Sequence, residues 1–173
     1  INALAEMCDV TGADVSLLAD SLDFDNRIGR GMLNAGPGYG GGCLPKDIRA
    51  FMARAGELGV EQALTFLREV DAINQRRRDR IIEMVTEELG GSLLDQRIAV
   101  LGIAFKPDSD DVRDSPALHV AAGIHLRGAV VSVYFFSTDA TTTEIYPGLT
   151  YVDSADAALD RADAVLVLTE WPE

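Results

Sequence analysis

Arg97-Ile98-Ala99-Val100-Leu101-Gly102 runs straight into Ile103-Ala104-Phe105-Lys106-Pro107. This stretch decides the fold. A short apolar run closed by glycine reads as a strand buried on both faces, the kind found in parallel sheets. Downstream, Ser115-Pro116 forms an N-cap followed by the first helical residue, and a helix is expected to about Leu126. Val130–Phe136 reads as the next strand. A Thr-rich loop (Thr141-Thr142-Thr143) follows, then a short strand at Leu149–Val152, a helix at Ala155–Arg161 and a strand at Ala164–Leu168. The order β-α-β-loop-β-α-β predicts an α/β fold with a doubly wound parallel sheet and right-handed crossovers.

Upstream, residues 1–90 read as helices around one glycine-rich loop. A helix over Asn2–Val10 turns at Thr11-Gly12, and Asp14 caps a second that runs to Leu22. Residues 23–44 contain seven glycines and one proline and are expected to be loop. Pro45 opens a helix that ends at Gly59, and a long helix is expected over Glu61–Leu89, stopped by Gly90-Gly91. Leu64, Leu67, Val70, Ile73, Ile81, Ile82, Val85 and Leu89 give it an apolar stripe. The Arg76-Arg77-Arg78 run reads as a solvated or interface face. Two domains are expected, 1–92 helical and 93–173 sheet-based.

The 173 residues carry 28 acidic and 15 basic side chains, a net charge of −13. Neither half is basic (−5 over residues 1–90, −8 over the rest), which argues against a nucleic-acid binder. No apolar run approaches the roughly 20 residues that span a bilayer, so no membrane partner is expected. Cys8 and Cys43 make neither a disulfide framework nor a zinc set, which fits a reducing cytoplasmic setting. No metal is expected. His119 and His125 lie about 240° apart around one helix and cannot share an ion from one face. The chain opens on Ile1 inside a helical pattern and is read as part of a longer protein. Of the 15 basic residues only Lys46 and Lys106 are lysines, and both fall in Gly- or Pro-containing turns.

The sharpest chemical signal is Gly36-Pro37-Gly38-Tyr39-Gly40-Gly41-Gly42-Cys43-Leu44-Pro45-Lys46-Asp47. Glycines let a backbone approach a ligand closely. Cys43 stands at a helix start, where the positive dipole end and Lys46 favour the nucleophilic thiolate. Asp47, four residues on, is placed to position a water or receive a proton. Cys8, inside a helix, reads as buried and inert. The second signal is the turn Gly102–Pro107 with Asp110-Asp111-Val112-Arg113-Asp114. In an open parallel sheet ligands bind beyond the strand ends. Phe105 could stack a base there, and Lys106 and Arg113 could hold phosphate. The aspartates serve either to brace Arg113 or to meet the ligand. Trp171 either caps the sheet edge or borders a site.

These motifs, together with GADV at 12–15, DNRIG at 25–29 and LTEW at 168–171, resemble the UDP-glucose 6-dehydrogenases within the wider UDP-glucose/GDP-mannose dehydrogenase family. The resemblance implies a central helical dimerisation domain followed by a Rossmann-like nucleotide-sugar-binding domain, with the N-terminal NAD-binding domain absent. It implies two successive oxidations with NAD as cofactor, serving UDP-glucuronate and polysaccharide biosynthesis. Cys43 would form a thiohemiacetal and then a thioester, and Asp47 would assist its hydrolysis. Lys46 and Arg113 would meet NAD. Asn34, Ala35, Gly36, Gly40, Phe105 and Lys106 would bind the UDP-sugar, and Arg27 would reach the partner's site in a homodimer built on the central helices. The GYGGGC form of the loop favours UDP-glucose over GDP-mannose. The chain departs from the family pattern at Asn34, often lysine, and at Tyr134-Phe135-Phe136-Ser137, where a Tyr-Asp-Pro turn is usual. A non-catalytic nucleotide-sugar-binding module is the alternative, as is UDP-N-acetylmannosamine or GDP-mannose as substrate. A cysteine hydrolase is disfavoured because no histidine stands near Cys43.

Overall fold

The expected buried strand forms the centre of the sheet. In the computed structural model, which describes residues 1–135 and 146–170, β1 (Arg97–Leu101) lies between β2 (Val130–Tyr134) and β4 (Ala164–Val167), with β3 (Thr150–Val152) outside β2. All pairs are parallel, in the registers Ile98↔Val131, Ile98↔Ala164 and Ser132↔Thr150. Ile98, Ala99 and Val100 are essentially inaccessible, as a strand with neighbours on both edges and cover on both faces requires. The strand expected to reach Phe136 ends at Tyr134, and Phe136 lies outside the described residues, as do 137–144 and Trp171.

The crossover helix α5 (Pro116–Leu126) begins as its sequence predicts. The Ser115 hydroxyl accepts from the Leu118 amide and donates to the Ile103 carbonyl at 2.7 Å. Val120, Ala121 and Ile124 face the sheet in one core with Ile98, Val100, Val131 and Val133. Helix α4 (Thr65–Glu88) packs on α5 through Ile82. A Cβ on Gly123 would stand 2.5 Å from the Ile82 δ-methyl, so the glycine sets how closely these helices approach. A five-residue helix, α6 (Ala155–Leu159), is capped by Ser154 and precedes β4.

On the other side of α4 lie α1 (Asn2–Thr11) and α2 (Val15–Asp23), joined through left-handed Gly12 and the Asp14 cap, which accepts from the Ser16 and Leu17 amides. The glycine-rich stretch is loop apart from a 3₁₀ turn at Arg30–Met32, anchored where Arg30 reaches Asp20 and Asp23. Helix α3 covers Leu44–Glu57. The single helix expected from Glu61 is instead a 3₁₀ turn, Glu61–Leu64, followed by α4. Leu64, at φ −117° and ψ 15°, leaves the helical region, so the i→i−4 ladder cannot pass through it. Among the described residues no helix is long and apolar enough to cross a membrane, and no cluster of three metal-ligating side chains occurs.

Gly123→Val should overpack the α4–α5 contact and cost about 1–3 kcal/mol in urea unfolding. Combining it with Ile82→Ala should cost less than the sum of the two single changes, because each relieves the other's clash or void.

Candidate functional site

The glycine loop is gripped from two sides. Its first half rests on the helices. The Asn2 side chain accepts from the Gly36 amide at 3.0 Å and donates to Asn74 at 2.9 Å. A Cβ on Gly38 (φ 106°) would stand 3.0 Å from the Asn74 Cβ. The Tyr39 hydroxyl donates to Asp71 at 2.7 Å, and the Tyr39 carbonyl accepts from Arg78 at 3.0 Å. Burial, reinforced by the Asp71 carboxylate, pushes the Tyr39 phenol up to about 12, so it stays a donor across the physiological range.

The second half lies bare against the turn that follows β1. A Cβ on Gly40 would meet Pro116 Cδ at 2.5 Å and the Asp114 carbonyl at 2.6 Å. One on Gly41 (φ 92°) would strike the Phe105 ring at 2.8 Å, and one on Gly42 the Arg113 guanidinium at 2.6 Å. The Gly41 amide donates to the Arg113 carbonyl at 3.0 Å. Arg113 is held by Asp111, at 2.9 and 2.7 Å, and this pairing lowers the Asp111 carboxyl and raises the guanidinium. Asp114 turns away from Arg113 and pairs with Arg49 of α3 instead. Of the two roles open to the aspartates, bracing therefore falls to Asp111.

The turn itself is fixed from below. Two buried hydroxyls, Ser115 and Thr169, donate to consecutive carbonyls, Ile103 at 2.7 Å and Ala104 at 2.8 Å. Phe105 and Lys106 follow directly, with the Lys106 ammonium 5.5 Å from the Phe105 ring centroid.

Between loop and turn opens a cavity of about 600 Å³. Asn34, Ala35 and Gly36 from the loop and Phe105 and Lys106 from the turn line it, together with Asn2, Tyr39, Asn74 and Glu170. The Asn34 side-chain oxygen accepts from Arg30 at 2.6 Å. Gly40 sits behind this cavity, at the contact with Pro116. Cys43 is exposed at the N-cap of α3, beyond Gly42 and Arg113, and is not part of the lining. Lys46 and Asp47, in the first turn of α3, are exposed and 3.6 Å apart. Arg27 is exposed, paired to Asp25 and away from the cavity. Cys8 is buried in α1. His119 bonds Gln75, and His125 lies edge-on to Tyr146.

Arg76 is exposed, as its reading as a solvated or interface face expects, while Arg77 and Arg78 are drawn inward. Arg76 and Arg77 tie α4 to α1 through Glu6 and Asp9, and Arg78 is half-buried beneath the loop. Asp71, Asn74 and Arg78 stand at i, i+3 and i+7, so one polar face of α4 carries all three loop contacts. That spacing was available in the sequence, but the three are interleaved with the apolar stripe Leu67, Val70, Ile81, Ile82 and Val85 on the same side of the helix, and the stripe masks them.

Two family profiles match the chain. The central domain of the UDP-glucose/GDP-mannose dehydrogenase family covers residues 1–76, and the UDP binding domain of the same family covers residues 99–173. UDP-glucose 6-dehydrogenases of Haloferax volcanii and Rhizobium meliloti are 39% and 36% identical over 99% and 100% of the chain, each along 39% of its own length. A UDP-glucose dehydrogenase structure from Pyrobaculum islandicum superposes with a TM-score of 0.88 at 34% identity, over 99% of this chain and 39% of that one. A UDP-D-ManNAc dehydrogenase from Pyrococcus horikoshii superposes with 0.75 at 27%, over 99% and 38%. The chain thus spans about two fifths of the length of these relatives.

Two glycines of the loop should respond differently to one methyl group. Gly36 has open space around a Cβ, so Gly36→Ala should leave urea unfolding within about 0.5 kcal/mol. Gly40→Ala drives the new methyl into backbone and proline ring, and should cost about 1–3 kcal/mol.

Proposed function

The chain belongs to the UDP-glucose/GDP-mannose dehydrogenase family, and from that premise we propose that it is the central and C-terminal part of an NAD-dependent nucleotide-sugar 6-dehydrogenase that oxidises UDP-glucose to UDP-glucuronate. Residues 1–92 act as the central helical domain and residues 93–173 as the UDP-sugar-binding domain. One observation carries the reading: a glycine loop that lines a nucleotide-sized cavity leads, without a bulky residue between, to Cys43 at the start of a helix.

Each group then has a role. Phe105 offers a ring face to the uracil, and Lys106 a cation to the diphosphate. Asn34, Ala35 and Gly36 border the sugar, while Gly40 lets the loop close against the turn. NAD would be held on the other side of Gly42, by the exposed cations of Arg113, which lies against Gly42, and Lys46, in the first turn of α3. When bound there, NAD⁺ supplies the hydride acceptor. Cys43 keeps the reacting carbon on the protein. Its thiolate adds to the aldehyde to form a thiohemiacetal, and at the acid level the carbon remains on sulfur as a thioester. Asp47 is one helical turn on, its amide donating to the Cys43 carbonyl at 2.9 Å, and takes the proton of the water that displaces sulfur.

By itself the chain binds nucleotide sugar and dimerises, and turnover needs the NAD-binding domain. Met7, Val10, Leu17, Phe24 and Met32 are exposed on or beside α1 and α2. We assign this surface to the homodimer, with Arg27, nearby in sequence, directed to the partner's site. Two free cysteines and no disulfide fit a cytoplasmic enzyme.

The full-length protein should form two NADH per UDP-glucose and none with GDP-mannose or UDP-N-acetylmannosamine. Cys43→Ala should abolish acid formation, and retained turnover would remove the cysteine mechanism. Turnover with another sugar alone would change the substrate and keep the class. Leu17→Asp with Phe24→Asp should halve the mass seen in analytical ultracentrifugation.

A further inference from the structure

Helix α4 carries a cation that the proposed chemistry leaves without a part. Arg78 is half-buried, and burial lowers its affinity for the proton. Its neighbours Arg76, Arg77 and Arg80 each reach a carboxylate. Arg78 has no carboxylate within ion-pair distance among the described residues. One terminal nitrogen donates to the Tyr39 carbonyl at 3.0 Å, the other reaches Gln75 at 3.4 Å, and its Nε is buried without a partner. A desolvated guanidinium spent on neutral acceptors is a poor contribution to stability. Its location gives it another use.

Tyr39 is the midpoint of the glycine loop. Residues 36–39 before and at it face the cavity, and residues 40–42 after it lie bare against Pro116, Phe105 and Arg113 and lead to Cys43. Glycines at 38, 40, 41 and 42 leave the backbone without side-chain anchors of its own. Tyr39 alone in that run has a side chain that reaches the scaffold, and α4 holds the residue at both ends, Asp71 at the hydroxyl and Arg78 at the carbonyl.

We propose that Arg78 is a positioning residue: with Asp71 it clamps Tyr39 at both ends and so fixes the glycine loop that sets the cavity wall and the place of Cys43. The clamp deepens the proposed dehydrogenase reading, yet its geometry can be tested without turnover. Arg78 touches neither the cavity nor Cys43 and acts through the Tyr39 backbone.

Hydrogen exchange on the full-length protein reads the clamp directly. Arg78→Met should speed exchange over residues 36–42 by about tenfold or more while the β1 and β2 amides keep their protection. Arg78→Lys, which keeps one donor, should recover part of that protection. Tyr39→Phe, which frees only the ring end, should loosen the loop less than Arg78→Met. Arg80→Met, on the same helix but surface-paired, should change nothing. In turnover, Arg78→Met should lower kcat by about tenfold with little change in KM for NAD. Unchanged exchange over 36–42, or an equal rise in β1 and β2, would overturn the clamp. If the loop loosens as expected while the parent protein oxidises no nucleotide sugar, the clamp stands and the dehydrogenase reading falls.

Discussion

The site in this molecule depends on one contact, in which bare glycine backbone meets side chains with no Cβ between. Gly40, Gly41 and Gly42 lie so close to Pro116, Phe105 and Arg113 that no Cβ fits between. The helical half and the sheet half meet there backbone to side chain, behind the cavity that residues 36–39 and Phe105 line. Backbone has few ways to hold itself against such a surface. The order of the loop must therefore come from outside it: the Gly41 amide on the Arg113 carbonyl, Asn2 on Gly36, Asp71 and Arg78 on Tyr39.

The sheet half supplies the opposite requirement, a turn that cannot move. Gly102 leaves β1 at φ 82° with Thr169 packed against it, and Ser115 and Thr169 bond the next two carbonyls. Phe105 and Lys106 are thereby presented at the end of a buried strand, where an open parallel sheet receives ligands. Rigid turn and pinned loop are complementary. Either alone would leave a cavity with one soft wall.

Much of this was legible in the sequence. Two local rules serve the sheet half: β1 holds the four-residue apolar run Ile98–Leu101 ended by glycine, and α5 starts at Ser115-Pro116. The helix starts at Asp14 and near Pro45 follow equally local rules. The break at Leu64 was not legible, because nothing in Gln62-Ala63-Leu64-Thr65 opposes helix. For the site, Asn34, Ala35, Gly36, Phe105 and Lys106 do meet at one cavity, while Cys43, Lys46 and Asp47 occupy the neighbouring helix start. The supports were hidden. Asp71, Asn74 and Arg78 lie more than 30 residues downstream of Tyr39 and Gly38, which they hold, so no local pattern links them to the loop, and a run of three arginines reads as surface although only Arg76 is exposed and Arg77 and Arg78 turn inward.

The scarcity of lysine has a practical side. Within this chain the only side-chain amines are Lys46 and Lys106, one beside Cys43 and the other on the cavity wall, among thirteen arginines that carry the rest of the positive charge. Arginine does not surrender its proton and is inert to acylating reagents. Within this chain, chemistry directed at side-chain amines, which scatters over the surface of most proteins, is confined to Lys46 and Lys106. A label, a crosslinker or an acetyl group placed on a side-chain amine of this chain therefore lands either in the first turn of α3 or on the cavity wall.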